Sequence, residues 1–366
     1  MNKSYHCLKG LYASMRKFFA AANTENGFVS LFDEVFAPEK FRRIYILKGG
    51  PGTGKSTLMG NIGMIAESKG YDVEYICCSS DPHSLDGVVI SELSVAILDG
   101  TSPHVTDPLY PGAVERIVDL GEAFDFHALE EKRDDLIALI HAKKEAYRAA
   151  YRFLSAAGRM EKEHDELLRS FYLEEKADAA VNRLIATFRQ RGNAEEKKRY
   201  ISAICADGFC RLRTLSERAK KIYAVADKNG LGYLFMDTLY KRLHEEGFSL
   251  IVCDSPVTEN RKEALFLQGE DVLFIVEEAD SEALNSSDKI INSLRFADKE
   301  GLSGRRRRLR FIEKCETAVL EGAVSCFSDA GAAHAKAEQI YGACVNFSKV
   351  DAIFGKIINE IFTNNV

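Results

Sequence analysis

The sequence predicts an α/β protein made of two similar units, each a doubly wound parallel sheet followed by a helical hairpin. Three observations predict this architecture. Apolar runs of strand length alternate with a helical stretch between residues 43 and 99. A long segment without glycine or proline follows, over residues 122–157. Residues of the first half of the chain also recur in the second half in the same order. Strands separated by a helix are typical of parallel βαβ units.

The individual elements follow from local patterns. The run RIYILK at 43–48 and the run YDVEYICC at 71–78 predict strands, and residues 55–69 predict the helix between them. LSVAIL at 93–98 predicts another strand, which ends at Asp99. Apolar residues recur at helical spacing over 122–157 and again over 161–190, so residues 128–190 predict a helical hairpin.

The two halves match at an offset that shrinks steadily along the chain. Residues 16–28 lie over residues 197–209 at an offset of 181. The offset is 178 where glycines 52 and 54 meet glycines 230 and 232, and 173 where residues 154–158 meet residues 327–331. Such ordered self-similarity predicts an internal duplication. The predicted domains are residues 1–193 and 194–366, and the predicted second hairpin occupies about residues 300–362.

The most informative segment is GGPGTGKS at residues 49–56, which matches G-x-x-x-x-G-K-[ST] between a predicted strand and a predicted helix. Glycines let backbone N–H groups close around phosphates, and the helix adds its positive N-terminal dipole. Lys55 is the expected cation for the β- and γ-phosphates, and the Ser56 hydroxyl is an expected Mg²⁺ ligand. The predicted nucleotide-binding residues are Gly50, Pro51, Gly52, Thr53, Gly54, Lys55, Ser56 and Thr57.

Acidic residues at neighbouring strand ends complete the predicted site. Asp99 is the expected second Mg²⁺ ligand, although Asp-Gly is also a common turn sequence. The loops at 79–87 and 99–108 leave strands at the same sheet edge. They offer Asp81 as a residue that orients water or binds substrate, so Asp81 joins Lys55 and Asp99 as a catalytic candidate. The same loops offer three further candidates. Those three are Asp86, His83 and His104. Turn or capping roles are the alternative for each, and the general base stays unassigned.

The corresponding stretch of the second half reads ADKNGLGYLF at residues 226–235. In the sequence alignment Tyr233 takes the place of Lys55, and Leu234 takes the place of Ser56. These exchanges remove the phosphate cation and the metal hydroxyl. We therefore expect one working site in the first half and a pseudo-site in the second.

Composition excludes several classes of protein. The chain has 49 Lys and Arg against 55 Asp and Glu, a net charge of -6, so no global basic field favours nucleic acid, and we expect none as a partner. No apolar run reaches the length of about 18 residues expected of a membrane span. The nine cysteines show no metal or disulfide spacing, which favours reduced thiols. The expected location is the cytoplasm, without membrane association.

The segments FVSLFDEVF, RRIYILKGGPGTGKSTLM and CCSSDPHSLDG resemble an uncharacterised bacterial family of tandem P-loop ATP-binding proteins. The resemblance covers most of the first 190 residues and, more faintly, the rest. It implies a P-loop NTPase-like fold with ATP binding and hydrolysis, and contributes no substrate. The family's second half usually carries its own intact loop, and this sequence departs from the family there.

The residues predict a Mg²⁺-dependent ATP-binding protein that hydrolyses ATP. One alternative is a small-molecule or nucleotide kinase, with the loops at 79–87 and 99–108 as the acceptor pocket. Another is a non-catalytic, nucleotide-dependent switch or scaffold that binds a protein partner through its helical hairpins. The guanine-reading pattern N-K-x-D does not occur, which favours ATP over GTP.

Overall fold

The computed structural model describes residues 16–189 and 194–363, and we call these two ranges the first and the second repeat. The strands and helices of the first repeat are, in chain order, β1 (Arg16–Phe19), β2 (Ala21–Thr24), β3 (Gly27–Ser30), α1 (Phe32–Val35), β4 (Arg43–Lys48), α2 (Lys55–Ser68), β5 (Val73–Cys77), β6 (Leu85–Ile90), β7 (Val95–Asp99), β8 (Glu115–Asp119), α3 (Phe126–Glu131), α4 (Arg133–Arg169) and α5 (Glu174–Ile185). Those of the second repeat are β9 (Glu196–Arg199), β10 (Ser202–Cys205), β11 (Gly208–Arg211), α6 (Thr214–Arg218), β12 (Lys221–Asp227), α7 (Leu231–Glu245), β13 (Leu250–Asp254), β14 (Lys262–Leu267), β15 (Val272–Glu278), β16 (Lys289–Asn292), α8 (Lys299–Ser303), α9 (Arg306–Ala343) and α10 (Phe347–Phe362).

The two repeats have the same topology, which confirms the duplicated α/β architecture. The first sheet has the strand order β1-β5-β6-β7-β4-β8, and the second has β9-β13-β14-β15-β12-β16. The predicted doubly wound parallel sheet is confirmed for five of the six strands of each sheet and wrong for the sixth, because β6 and β14 run antiparallel to both of their neighbours.

The length of the connection explains the antiparallel strand. Only residues 78–84 join β5 to β6, and β6 begins inside the segment 79–87 that was predicted to be a loop. A parallel connection needs a crossover of about a dozen residues or more, whereas a short loop joins antiparallel neighbours. The remaining five strands of each sheet all run in one direction.

An approximate two-fold axis relates the repeats. Phe19 and Tyr200, which are equivalent at an offset of 181, donate backbone hydrogen bonds to each other at 2.8 and 2.9 Å. The Asn23 side chain donates to the carbonyl oxygen of its own equivalent, Ile204, at 3.2 Å. Contacts between equivalent positions are the signature of a two-fold interface.

Each repeat covers its sheet with the last helix of the other repeat. The long helices α4 and α9 run antiparallel to each other, so that Lys143 meets His334 near one end and Glu163 meets Arg308 near the other. Residues of α5, including Val181, pack in one core with α7 of the second repeat. Residues of α10, including Ile357, pack in another core with α2 of the first repeat. The helices are therefore exchanged between the repeats.

Helix α4 does not turn at residues 158–160, where the predicted helical hairpin of residues 128–190 would turn, and it packs along α9 of the second repeat. Gly158 lies in the interior of α4, and a Cβ atom there would lie 2.5 Å from Cβ of Glu25. This glycine lets the β2–β3 turn approach the helix closely. In residues 16–189 and 194–363, every helix is too short or too polar to span a bilayer.

Candidate functional site

The glycine loop, residues 49–54, joins β4 to α2. Gly52 and Gly54 have φ angles of +74° and +83°, which L side chains rarely adopt. Gly54 is the N-terminal cap of the 14-residue helix α2, whose first residue is Lys55. The N–H groups of the first turn of α2 and the positive end of its dipole therefore lie next to the loop, an arrangement that suits an anion.

Lys55 is buried at the base of the loop. Its side chain is 9% exposed, and Nζ donates hydrogen bonds of 2.9 Å to the carbonyl oxygens of Gly49 and Gly50. Oδ2 of Asp99 lies 3.6 Å from Nζ, because β4 and β7 are neighbours and Leu47 pairs with Asp99 in their ladder. The structure thus brings together the cation and the carboxylate that the sequence placed at one sheet edge.

The two expected Mg²⁺ ligands, Ser56 and Asp99, both offer oxygen atoms. Oγ of Ser56 accepts a hydrogen bond of 2.9 Å from the backbone N–H of Leu85. Oδ1 of Asp99 accepts hydrogen bonds from Thr101 N–H at 2.9 Å and from its hydroxyl at 2.6 Å. A hydroxyl and a carboxylate fit Mg²⁺, which prefers hard oxygen ligands and retains several waters. Within the described ranges, no group of three or more His, Cys, Asp or Glu side chains suits a metal.

The other predicted loop residues differ in exposure. Thr53 is buried, and its hydroxyl donates to the carbonyl oxygen of Gly50 at 2.9 Å, which fixes the loop. Pro51 is half-buried, and Thr57 is exposed on the first turn of α2. Thr53 therefore has a clear role in shaping the loop, while a contact between Thr57 and a nucleotide stays a prediction.

Asp81 bonds within its own loop. One oxygen accepts from the N–H of His83 at 3.1 Å and the other accepts from the Ser84 hydroxyl at 2.6 Å. This is the side-chain turn geometry typical of aspartate. The structure thus gives Asp81 a loop-forming role, and its catalytic role stays a prediction.

Asp86 and His104 form a buried pair, with Oδ2 and Nε2 separated by 3.1 Å. The imidazole stacks on Phe32 at a centroid distance of 4.0 Å and meets the edge of Phe28 at 4.9 Å. Two of the candidates, one near the start of β6 and one in the β7–β8 connection, are therefore brought together. The aromatic rings hold the pair in place and support a structural role for it.

The second repeat covers the glycine loop with α9. A Cβ atom on Gly52 would lie 2.7 Å from the carbonyl oxygen of Glu338, and one on Gly50 would lie 3.0 Å from the Tyr341 ring. Any larger side chain at either glycine would push α9 away. No local pattern in the sequence signals this contact, because it joins residues almost 300 positions apart.

Comparison of the chain with family models, with curated proteins and with solved structures gives no match. The candidate site is therefore interpreted from its own geometry.

The structure corrects the alignment of the second loop. Gly230 caps α7 with φ +83°, as Gly54 caps α2, so Leu231 takes the place of Lys55. The expected match of Tyr233 with Lys55 was wrong. Residues 228–230 connect β12 to α7, whereas residues 49–54 connect β4 to α2, so the second loop is shorter. The predicted loss of the phosphate cation holds in the corrected alignment.

The second loop binds a carboxylate of its own chain. Oδ2 of Asp227 accepts from Gly230 N–H at 2.9 Å and Oδ1 accepts from Gly232 N–H at 2.5 Å. This side chain occupies the N–H groups at the start of α7. Val276 pairs with Val225 in the sheet, as Asp99 pairs with Leu47, so the expected metal ligand is also missing.

An ionic cluster, Arg261 with Glu161 and Asp165, ties α4 to this second loop. The guanidinium lies 2.9 Å from Oε1 of Glu161 and 3.3 Å from Oδ1 of Asp165, and 3.8 Å above the Tyr233 ring. Burial raises the pKa of Asp165 to about 6, against the attraction of Arg261. The side chains of this cluster thus cover the second loop.

His164 lies beside this cluster, and we expect it to make folding sensitive to acid. Burial, with Arg261 nearby, lowers its pKa to about 4. The unfolded histidine titrates near 6.5, so the unfolded state takes up a proton first as the pH falls. We expect acidification from pH 7 to 5 to cost about 2 kcal/mol of unfolding free energy through this residue.

Urea unfolding at both pH values measures this effect, with His164→Gln as the comparison. The variant should lose less stability than the wild type between pH 7 and 5. The raised pKa of Asp165 increases the unfolding free energy as the pH falls from about 6 to 4, and this opposite effect is present in both proteins. Equal losses in the two proteins would exclude His164 as the source.

Proposed function

We propose that the chain is a Mg²⁺-dependent ATP-binding protein with a P-loop NTPase-like first repeat that hydrolyses ATP at a single site. The observation that carries this proposal is the position of Lys55, the first residue of α2. Its buried ammonium is held by two carbonyl oxygens of the loop and lies 3.6 Å from Asp99. A buried cation beside the N–H groups of a helix N-terminus suits a polyphosphate.

Each residue has a role in this proposal. The N–H groups of the loop and of the first turn of α2 bind the phosphates, and Lys55 neutralises the β- and γ-phosphates. Ser56 and Asp99 hold Mg²⁺, which supplies charge neutralisation at the phosphates when bound. The second loop binds no nucleotide, because the Asp227 carboxylate occupies its N–H groups and repels phosphate.

A nucleotide-dependent switch is a second candidate, favoured by the contact of α9 with the loop. Glu338 and Tyr341 lie directly against Gly52 and Gly50. A phosphate that changes the loop conformation would displace α9 and, through it, the antiparallel pair that α9 forms with α4. In this case nucleotide binding matters more than hydrolysis.

Calorimetric titration with ATP and Mg²⁺ tests the proposal, and we expect a stoichiometry of one ATP per chain. Two ATP molecules per chain would contradict the single site, and absence of binding would exclude the function. Phosphate release, measured with and without candidate acceptors, then separates the candidates. Steady release without an acceptor supports an ATPase, whereas binding without release supports the switch.

A further inference from the structure

Two basic side chains from different repeats meet next to the glycine loop. Lys143 lies on α4 of the first repeat, and His334 lies on α9 of the second. Nζ of Lys143 is 3.1 Å from Nδ1 of His334. Neither residue belongs to the predicted nucleotide-binding segment.

The helix α9 directs His334 toward the loop. Residues 334, 338 and 341 lie four and then three positions apart, so they share one face of the helix. Two of them, Glu338 and Tyr341, contact Gly52 and Gly50. On α4, Tyr147 follows Lys143 by one turn, and its hydroxyl lies close to the side chain of Ser80 in the β5–β6 loop. Both helices therefore present these faces to the nucleotide-binding edge of the first sheet.

The pair lies near the ammonium of Lys55 and also near the carboxylate of Asp81. Burial lowers the pKa of Lys143, and the ammonium of Lys55 contributes to the shift. Burial, Lys143 and Lys55 together lower the pKa of His334 to about 4, so the imidazole is neutral at pH 7 and accepts a hydrogen bond from the lysine. In residues 16–189 and 194–363, no carboxylate lies within ion-pair distance of Lys143. Lys143 and Lys55 thus both lie at the edge of the first sheet that carries the glycine loop.

We propose that Lys143, positioned by His334, binds the terminal phosphate of a nucleoside triphosphate held by the glycine loop. The site then distinguishes a triphosphate from a diphosphate, because only the triphosphate reaches Lys143. The second repeat, which has lost its own phosphate chemistry, completes the site of the first by supplying His334. This inference rests on the proposed function.

The test compares the dissociation constants for ATP and ADP, each with Mg²⁺, in the full-length wild type and in Lys143→Met. Methionine keeps the length and apolar stem of lysine and removes its charge. A charged hydrogen bond is worth roughly 1.5 kcal/mol or more, so we expect ATP to bind about tenfold more weakly. ADP binding should change less than about twofold.

Two further variants complete the experiment. Lys144→Met removes a neighbouring exposed lysine and should leave both constants unchanged. His334→Gln removes the positioning group and should weaken ATP binding about threefold while sparing ADP. Thermal unfolding shows whether each variant is folded.

The outcomes separate this inference from the proposed function. Equal weakening of ATP and ADP in Lys143→Met, or no weakening of either, would overturn the inference while leaving the nucleotide site intact. A wild-type protein that binds neither nucleotide would overturn the proposed function, and the inference with it.

Discussion

Replacement of Lys55 by alanine is expected to weaken ATP binding about 100-fold, because a buried charge-assisted contact contributes about 3 kcal/mol. The ammonium is held by Gly49 and Gly50 and lies 3.6 Å from Asp99. Alanine removes the cation and leaves Asp99 facing the phosphates. Calorimetric titration with ATP and Mg²⁺ measures the change.

The second loop offers a matched control. Lys228 is an exposed lysine in the short connection between β12 and α7. Lys228→Ala removes the same charge from a loop whose N–H groups already bind Asp227. ATP affinity should therefore stay within about twofold of the wild type. Tight binding retained by Lys55→Ala, or lost in Lys228→Ala, would show that the nucleotide binds elsewhere.

The sequence predicts those parts of the site that depend on local signals. The glycine loop, β4 before it and α2 after it lie within 26 consecutive residues, 43–68, and their patterns are strong. Asp99 could be placed near Lys55 because strand ends gather at one sheet edge. The duplication was visible because equivalent positions such as Phe19 and Tyr200 keep their order in both halves.

Long-range packing determines what the sequence does not reveal. The exchange of α5 and α10 depends on which apolar face each helix covers, and both possible partners are apolar sheets of the same topology. The contact of α9 with Gly52, and the pair formed by Lys143 and His334, depend in the same way on the long-range packing of α9 against α4 and the glycine loop. The second loop was misaligned because glycines 230 and 232 have the same spacing as glycines 52 and 54, although the second loop is shorter.

The ionic cluster is expected to contribute strongly to the stability of the contact between α4 and the second repeat. Arg261→Ala removes the cation that lies 2.9 Å from Glu161 and 3.3 Å from Asp165. The side chains of Glu161 and Asp165 are 6% and 20% exposed, so water compensates them poorly. Loss of one partner from a buried ion pair costs about 3–5 kcal/mol, and we expect a loss of this size in urea unfolding.

Another ion pair of α4 provides the control for this prediction. Arg308 of α9 pairs with Glu163 of α4, and both side chains are about half exposed. Arg308→Ala should change stability by less than about 1 kcal/mol, because solvent screens the pair. Adding Glu161→Gln to Arg261→Ala should cost less than the sum of the two single changes, because less unpaired charge remains buried. Equal effects of Arg261→Ala and Arg308→Ala would mean that the cluster does not hold α4 on the second repeat.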